Sequence, residues 1–204
     1  MPDKLFFASS NAAKLREFQG IGREHCAGGA CVEALRGFAE LPAFPEKAPG
    51  FAENALGKAL HYSRLCPGMV FADDSGLVVP ALAGAPGVRS ARYAGPHATN
   101  EQRIEKLLKA LSGKEGASRS AHFVCAIALA SRGRAVAIVT ARADGVILER
   151  PRGSGGFGYD PVFLFPPIGG TFAELGEEEK NRYSHRGQAF RKLLNFLNGE
   201  APSD

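Results

Sequence analysis

The chemistry this chain could do turns on the stretch Phe71-Ala72-Asp73-Asp74-Ser75-Gly76. Two adjacent carboxylates stand between the apolar runs Met69-Val70-Phe71-Ala72 and Leu77-Val78-Val79. The pattern reads as a buried strand that ends in an acidic turn. Carboxylates beside buried strands resist desolvation and repel each other. A cation offsets both effects, and a hard ion such as Mg²⁺ is the usual choice. A solvated surface turn would carry the same residue types.

Three other stretches have chemical potential. Leu5-Phe6-Phe7-Ala8 reads as a buried strand, Ser9-Ser10-Asn11 as a small polar turn, and Ala12 to Gly20 as a helix with Leu15 and Phe18 on one face. Strand, turn and helix in that order aim free backbone N–H groups at an anion. Lys14 in the first helical turn opposes the helix dipole unless a phosphate sits there; with Asn11 as a simple cap it is merely solvated. Between Arg150 and Pro161, Gly153, Gly155, Gly156 and Gly158 permit close backbone approach to a ligand, and the rings of Phe157 and Tyr159 stand among them. Such rings stack on bases, or tuck into a core. Ser184 reads as the cap of a last helix carrying Phe190, Leu193, Leu194 and Leu197 and ending at Gly199. His185 and Arg186 then occupy its first turn as cations at an anion-favouring end.

The elements that must position these residues follow from the patterning. Residues 28–29 mark a turn and 31–35 a strand, and Pro42, Pro45 and Pro49 make 41–50 a loop that carries Glu46. Glu53 to Leu65 reads as a helix with Lys58 near its middle. Residues 80–95, rich in Gly and Pro, form a long ordered loop of the kind that is often functional. Thr99 with Gln102 makes a capping box for a helix to about Leu111, and residues 112–120 are a polar linker. Ala121–Ala130 and Arg134–Thr140 pair as a hairpin across Ser131-Arg132-Gly133, and Gly145–Leu148 is a third strand. Antiparallel pairing there makes the sheet mixed.

Composition bounds the rest. The 204 residues suffice for one domain or two small lobes, with a net charge of +4 and no block of like charges. That charge suits an anionic ligand. No apolar run approaches a membrane span, and the N-terminus lacks the form of a signal peptide, so cytoplasm is expected. The four cysteines, Cys26, Cys31, Cys66 and Cys125, include no Cys-x-x-Cys pair and the five histidines are scattered, which argues against zinc. Cys125 reads as a small core residue.

Together these motifs resemble the inosine triphosphate pyrophosphatases, also called dITP/XTP pyrophosphatases. The resemblance runs from Leu5 to about Leu197 through seven motifs in order. They are residues 9–14 (SSNAAK), 51–55 (FAENA), 72–77 (ADDSGL), 84–87 (GAPG), 90–95 (SARYAG), 155–161 (GGFGYDP) and 184–187 (SHRG). Two positions depart from the usual pattern. Ser10 replaces a glycine, and Arg89 stands where an apolar or aromatic residue is common.

The resemblance implies a single α/β domain over 1–204, an elongated mixed sheet with flanking helices whose two lobes enclose a nucleotide cleft, and a homodimer. It implies Mg²⁺-dependent hydrolysis of ITP, dITP and XTP to the monophosphate and pyrophosphate. Asp74 is the implied catalytic carboxylate and, with Glu46, a metal ligand. Lys14, Lys58 and Lys180 are the implied phosphate-binding lysines, joined by the turn Ser9, Ser10, Asn11, Ala12 and Ala13 and by Ser75. Phe157, Gly158, Tyr159, Asp160, His185 and Arg186 are the implied base-side residues, with supporting roles for Asp73 and Glu53. Arg186 only donates, so it suits the oxygen that hypoxanthine and xanthine carry in place of adenine's amino group. Two rivals remain: a non-catalytic nucleic-acid-binding module, which the paired aspartates oppose, and a Maf-like pyrophosphatase acting on other modified nucleotides.

Overall fold

The computed structural model describes residues 4–25 and 32–200. The expected turn at Gly28-Gly29, and with it Cys26 and Cys31, lies outside the described residues. One seven-stranded mixed sheet runs in the order β2-β1-β3-β4-β5-β6-β7. Strands β1 (Leu5–Phe7), β2 (Val32–Ala34) and β3 (Met69–Val78) are parallel. Strands β4 (Ser120–Ser131), β5 (Arg134–Ile147), β6 (Phe163–Phe165) and β7 (Gly170–Thr171) continue the sheet antiparallel. The helices are α1 (Ala12–His25), α2 (Phe51–Ser63), α3 (Asn100–Ala110), α4 (Glu177–Tyr183) and α5 (His185–Asn198).

The fold corrects two readings of the sequence. The acidic stretch is not a turn: Asp73 and Asp74 are interior residues of the ten-residue β3. Gly145–Leu148 is not a separate strand either, because β5 runs unbroken for 14 residues and β4 pairs with it along nearly its whole length. Alternation in β5 sends Ala137, Val139 and Ala141 inward, and Arg142 and Asp144 outward as an exposed ion pair. Charged residues on the outer face hide such a strand from a search for apolar runs. The hairpin itself is tight. Arg132 and Gly133 both take positive φ, 51° and 75°, which suits the twist of two long antiparallel strands.

Three apolar clusters meet on β3. Phe7, Phe18, Phe71 and Phe190 join β1, α1, β3 and α5 on one face. Ala55, Ala59, Val70 and Ala72 pack α2 on the other. Leu77, Leu107, Phe123 and Phe163 fill the far end beneath α3. The expected caps form. Thr99 and Gln102 make the reciprocal capping box of α3, Ser184 Oγ accepts from Gly187 N at 3.1 Å, and Gly199 closes α5 at φ 74°.

Candidate active site

The site is a gap in the sheet. Strand β1 is only three residues long and pairs with β3 no further than Phe71, while Ala8 N reaches Phe71 O. The chain then turns away through Ser9 and Ser10 into α1. Further along, the same edge of β3 is taken up again, where Leu77 N donates to Ser90 Oγ at 2.9 Å and Val78 bridges Pro86. Between these points the edge of β3 at Asp74–Gly76 opens into a cavity of about 240 Å³. Gly76 is required there. A Cβ would lie 2.5 Å from both Gly87 O and Ser90 Oγ, closer than any side chain can stand.

Because successive side chains on a strand point to opposite faces, Asp73 and Asp74 do not confront each other. Asp73 faces α1 and α5, 2.8 Å from Lys14 Nζ, 3.8 Å from Arg186 Nε and within reach of Ser75 Oγ. Burial raises its pKa, but the charge of Lys14, then those of Arg186 and Lys58, outweigh that and hold it at about 2. Asp74 faces α2. Burial there wins over Lys58 and the Asn54 hydrogen bond, and with help from Glu46 and Asp73 lifts its pKa to about 6. The pleat thus lessens the repulsion between the adjacent carboxylates without removing it, and the two groups take opposite electrostatic characters.

Asn54 fixes the Asp74 side. Its amide donates to Asp74 Oδ2 at 3.0 Å and to Ala48 O at 3.2 Å, and accepts from Ala48 N at 3.1 Å, so the proline-rich loop is stapled beside β3. That places Glu46 on the cavity wall, paired with Lys58 Nζ at 2.7 Å. Lys58 also donates to the Asp73 carbonyl at 2.5 Å. Glu53, one residue before Asn54, is exposed and turned back over Gly50.

The opposite wall is a buried ion network. Glu17, from the inward face of α1, binds Arg186 in a short contact and Lys180 at 2.7 Å, and Lys180 reaches Asp160 Oδ2 at 2.6 Å. Arg186 also donates to Ser75 Oγ at 3.0 Å. Asp160 Oδ2 accepts from Phe157 N at 2.8 Å, and a Cβ on Gly156 would collide with that oxygen at 2.2 Å. The ring of Phe157 lies over both Lys180 and Arg186, at 4.8 and 5.2 Å. Tyr159 ties this loop to the opposite wall by donating to Ser90 O at 3.0 Å. His185 is stacked on Phe123, and burial, then the charges of Arg186, Lys180 and Lys14, hold its pKa well below the usual imidazole value. It is therefore a neutral imidazole and not the cation expected at the start of α5. Two of these buried atoms, His185 Nδ1 and Arg186 Nε, have no hydrogen-bond partner.

Of the residues singled out in the sequence, Ser9, Asn11, Lys14, Glu46, Lys58, Asp74 and Ser75 line the cavity on one side. Phe157, Gly158, Tyr159, Asp160, His185 and Arg186 line it on the other. Ala13 and Lys180 instead line an adjoining hollow behind Phe157, and Ser10 and Ala12 are exposed outside both. Asn11 Oδ1 caps α1 by accepting from Lys14 N at 3.1 Å. Lys14, whose place in the first turn suggested a phosphate, already has Asp73 as its partner. Sequence reasoning assigned no role to Glu17 or Arg103, and carried Asn54 and Arg92 only within the motifs at 51–55 and 90–95. Glu17 had one signal: it stands beside Phe18 and three residues from Lys14, on the stripe that α1 turns inward.

Comparison with known proteins agrees with this architecture. Residues 5–196 match the Ham1 family. A protein of Geobacillus kaustophilus named dITP/XTP pyrophosphatase is 49% identical over 190 residues, covering 93% of this chain and 92% of its own. One of the same name from Methylococcus capsulatus is 47% identical over 199 residues, covering 97% of each. The solved structure of a HAM1 protein from Coxiella burnetii superimposes with a TM-score of 0.83 at 40% identity, over 96% of this chain and 98% of its own. With this sheet order, this cavity and a match along nearly its whole length, the chain belongs to the Ham1 family.

Proposed function

We propose that this protein is a Mg²⁺-dependent nucleoside triphosphate pyrophosphatase that hydrolyses dITP, ITP and XTP to the monophosphate and pyrophosphate. Such an activity keeps deaminated purines out of DNA and RNA. The observation that carries the reading is Asp74. It is a buried carboxylate whose pKa lies at about 6, at an open strand edge, with Glu46 and Lys58 on the same wall. The names of the close relatives point to the same reaction.

Asp74 and Glu46 would hold the metal. They are hard oxygen donors on one wall, and among the described residues no group of three or more His, Cys, Asp or Glu side chains is gathered to hold an ion. Two carboxylates, completed by substrate phosphates and water, suit Mg²⁺ and not zinc. When bound, the ion polarises the phosphorus–oxygen bonds and neutralises charge on the leaving group.

The chain's own residues do the rest. Asp74 orients a water and takes its proton; general-base assistance of this kind is worth roughly 10²–10⁴-fold. The water oxygen bonds to the α-phosphorus, the bond to the bridging oxygen breaks, and its electrons leave with pyrophosphate. Lys58, Lys14 and the turn at Ser9 and Asn11 hold the phosphates. Phe157 stacks on the base, Arg186, His185 and Asp160 read its edge, and Lys180, which lines the adjoining hollow, holds Asp160 in place. The two ends form the lobes of one domain, and the protein works as a homodimer in the cytoplasm. Pyrophosphate release from dITP, XTP, GTP and ATP, each with and without Mg²⁺, tests the reading. Release confined to dITP and XTP with Mg²⁺ is expected; equal release from ATP, or release indifferent to Mg²⁺, overturns it.

A further inference from the structure

The cations lining the cavity are not equally available. Lys14 is held at 2.8 Å by Asp73, Lys58 at 2.7 Å by Glu46, and Arg186 by Glu17. Arg103 has no carboxylate, yet it already donates to Asn100 Oδ1 at 2.9 Å and Ala98 O at 2.7 Å. Arg92 differs from all four. Its nearest acceptors are Glu46 Oε2 at 3.8 Å and Glu46 O at 3.5 Å, both too long for strong bonds, and its side chain is 43% exposed. It stands at the end of the 3₁₀ turn Gly87–Arg92, whose backbone is anchored through Ser90 to Leu77 and Gly87. A loosely paired guanidinium on a fixed base, beside Glu46 at the Asp74 end, matches an incoming phosphate.

We propose that Arg92 grips the terminal phosphates of the substrate and holds the departing pyrophosphate. This rests on the triphosphate reading above and extends it. Arg92 transfers no proton. It pairs with the charge that pyrophosphate gains as the α-phosphorus bond to the bridging oxygen breaks, while the water's proton goes to Asp74. In the absence of substrate, Arg92 leans towards Glu46 and so adds little there.

The test uses Arg92→Ala and Arg92→Lys, with inorganic tripolyphosphate and inosine monophosphate as calorimetric probes across a range of Mg²⁺ concentrations from limiting to saturating. Arg92→Ala is expected to weaken tripolyphosphate binding by about 10- to 100-fold, the worth of a charge-assisted contact, and to leave monophosphate binding unchanged. Arg92→Lys should recover part of the loss. Unchanged tripolyphosphate affinity overturns the proposal. So does a loss that extra Mg²⁺ restores, because Arg92 would then act only through Glu46. The binding arm separates this proposal from the reading beneath it. A wild type inert towards dITP whose tripolyphosphate binding still needs Arg92 would sink the reaction and uphold the contact. An active wild type with Arg92-independent binding would do the reverse.

Discussion

Replacing Asp74 by Asn should stop turnover and make the protein more stable. The pKa of Asp74 rises from 3.8 to about 6 on folding. The folded state therefore holds its proton more tightly than the unfolded chain does. Stability is lost as pH climbs from about 4 to about 6, and the whole cost is present above that window. A shift of about two units corresponds to about 3 kcal/mol at neutral pH. Asn keeps the shape and still accepts the hydrogen bond from Asn54, so the variant should recover most of that. For a chain of this size the gain is roughly 5–10 °C in Tm. Asp73→Asn should do the opposite. Its folded pKa of about 2 lies below the unfolded 3.8, so its contribution is present above about pH 4 and lost as pH falls through 2. Removing that charge also leaves Lys14 without its carboxylate partner. Thermal melts of wild type and both variants at pH 4, 6 and 8, with Mg²⁺ absent, read both effects. The Asp74→Asn advantage should grow between pH 4 and 6 and then level off. An Asp74→Asn variant that melts below wild type at pH 8, or that turns over normally, would refute the link between burial of this carboxylate and its chemistry.

Other changes probe the supports. Glu17→Ala strands Lys180 and Arg186 as buried cations short of a partner and should cost about 3–5 kcal/mol in urea unfolding, whereas a cost below about 1 kcal/mol, typical of an exposed pair, would mean the network adds nothing to stability. Gly76→Ala forces a methyl into Gly87 O and Ser90 Oγ, so a loss of about 1–3 kcal/mol together with lower activity is expected in the same assay; a neutral result would mean the edge yields freely. Arg186→Ala should narrow the ITP:ATP preference in kcat/KM by roughly 5- to 150-fold, the range of a good bidentate base contact, and an unchanged ratio would take base selection away from it.

The caps were easy to read from the sequence, since Thr99 with Gln102, and Ser184 with Gly199, act through neighbours a few residues away. The site motifs were legible for the same reason: each is contiguous. Asp73 and Asp74 misled because two charges inside an apolar run look like a break, when period-two alternation sends each to its own partners. Asp74 meets Asn54 and Lys58; Asp73 meets Lys14 and Arg186. Those partners come from α2, α1 and α5, so only the assembled sheet reveals them. The same holds for Glu17, whose value lies in Lys180 and Arg186 more than 160 positions away, and for Arg92, whose loose hold on Glu46 shows only in the fold.

Hydrolysis in H₂¹⁸O, with mass spectrometry of both products, tests most directly where water attacks. If the Asp74 edge delivers it to the α-phosphorus of dITP, one ¹⁸O appears in the deoxynucleoside monophosphate and none in pyrophosphate. Label in pyrophosphate, or formation of the diphosphate and orthophosphate, would contradict that geometry.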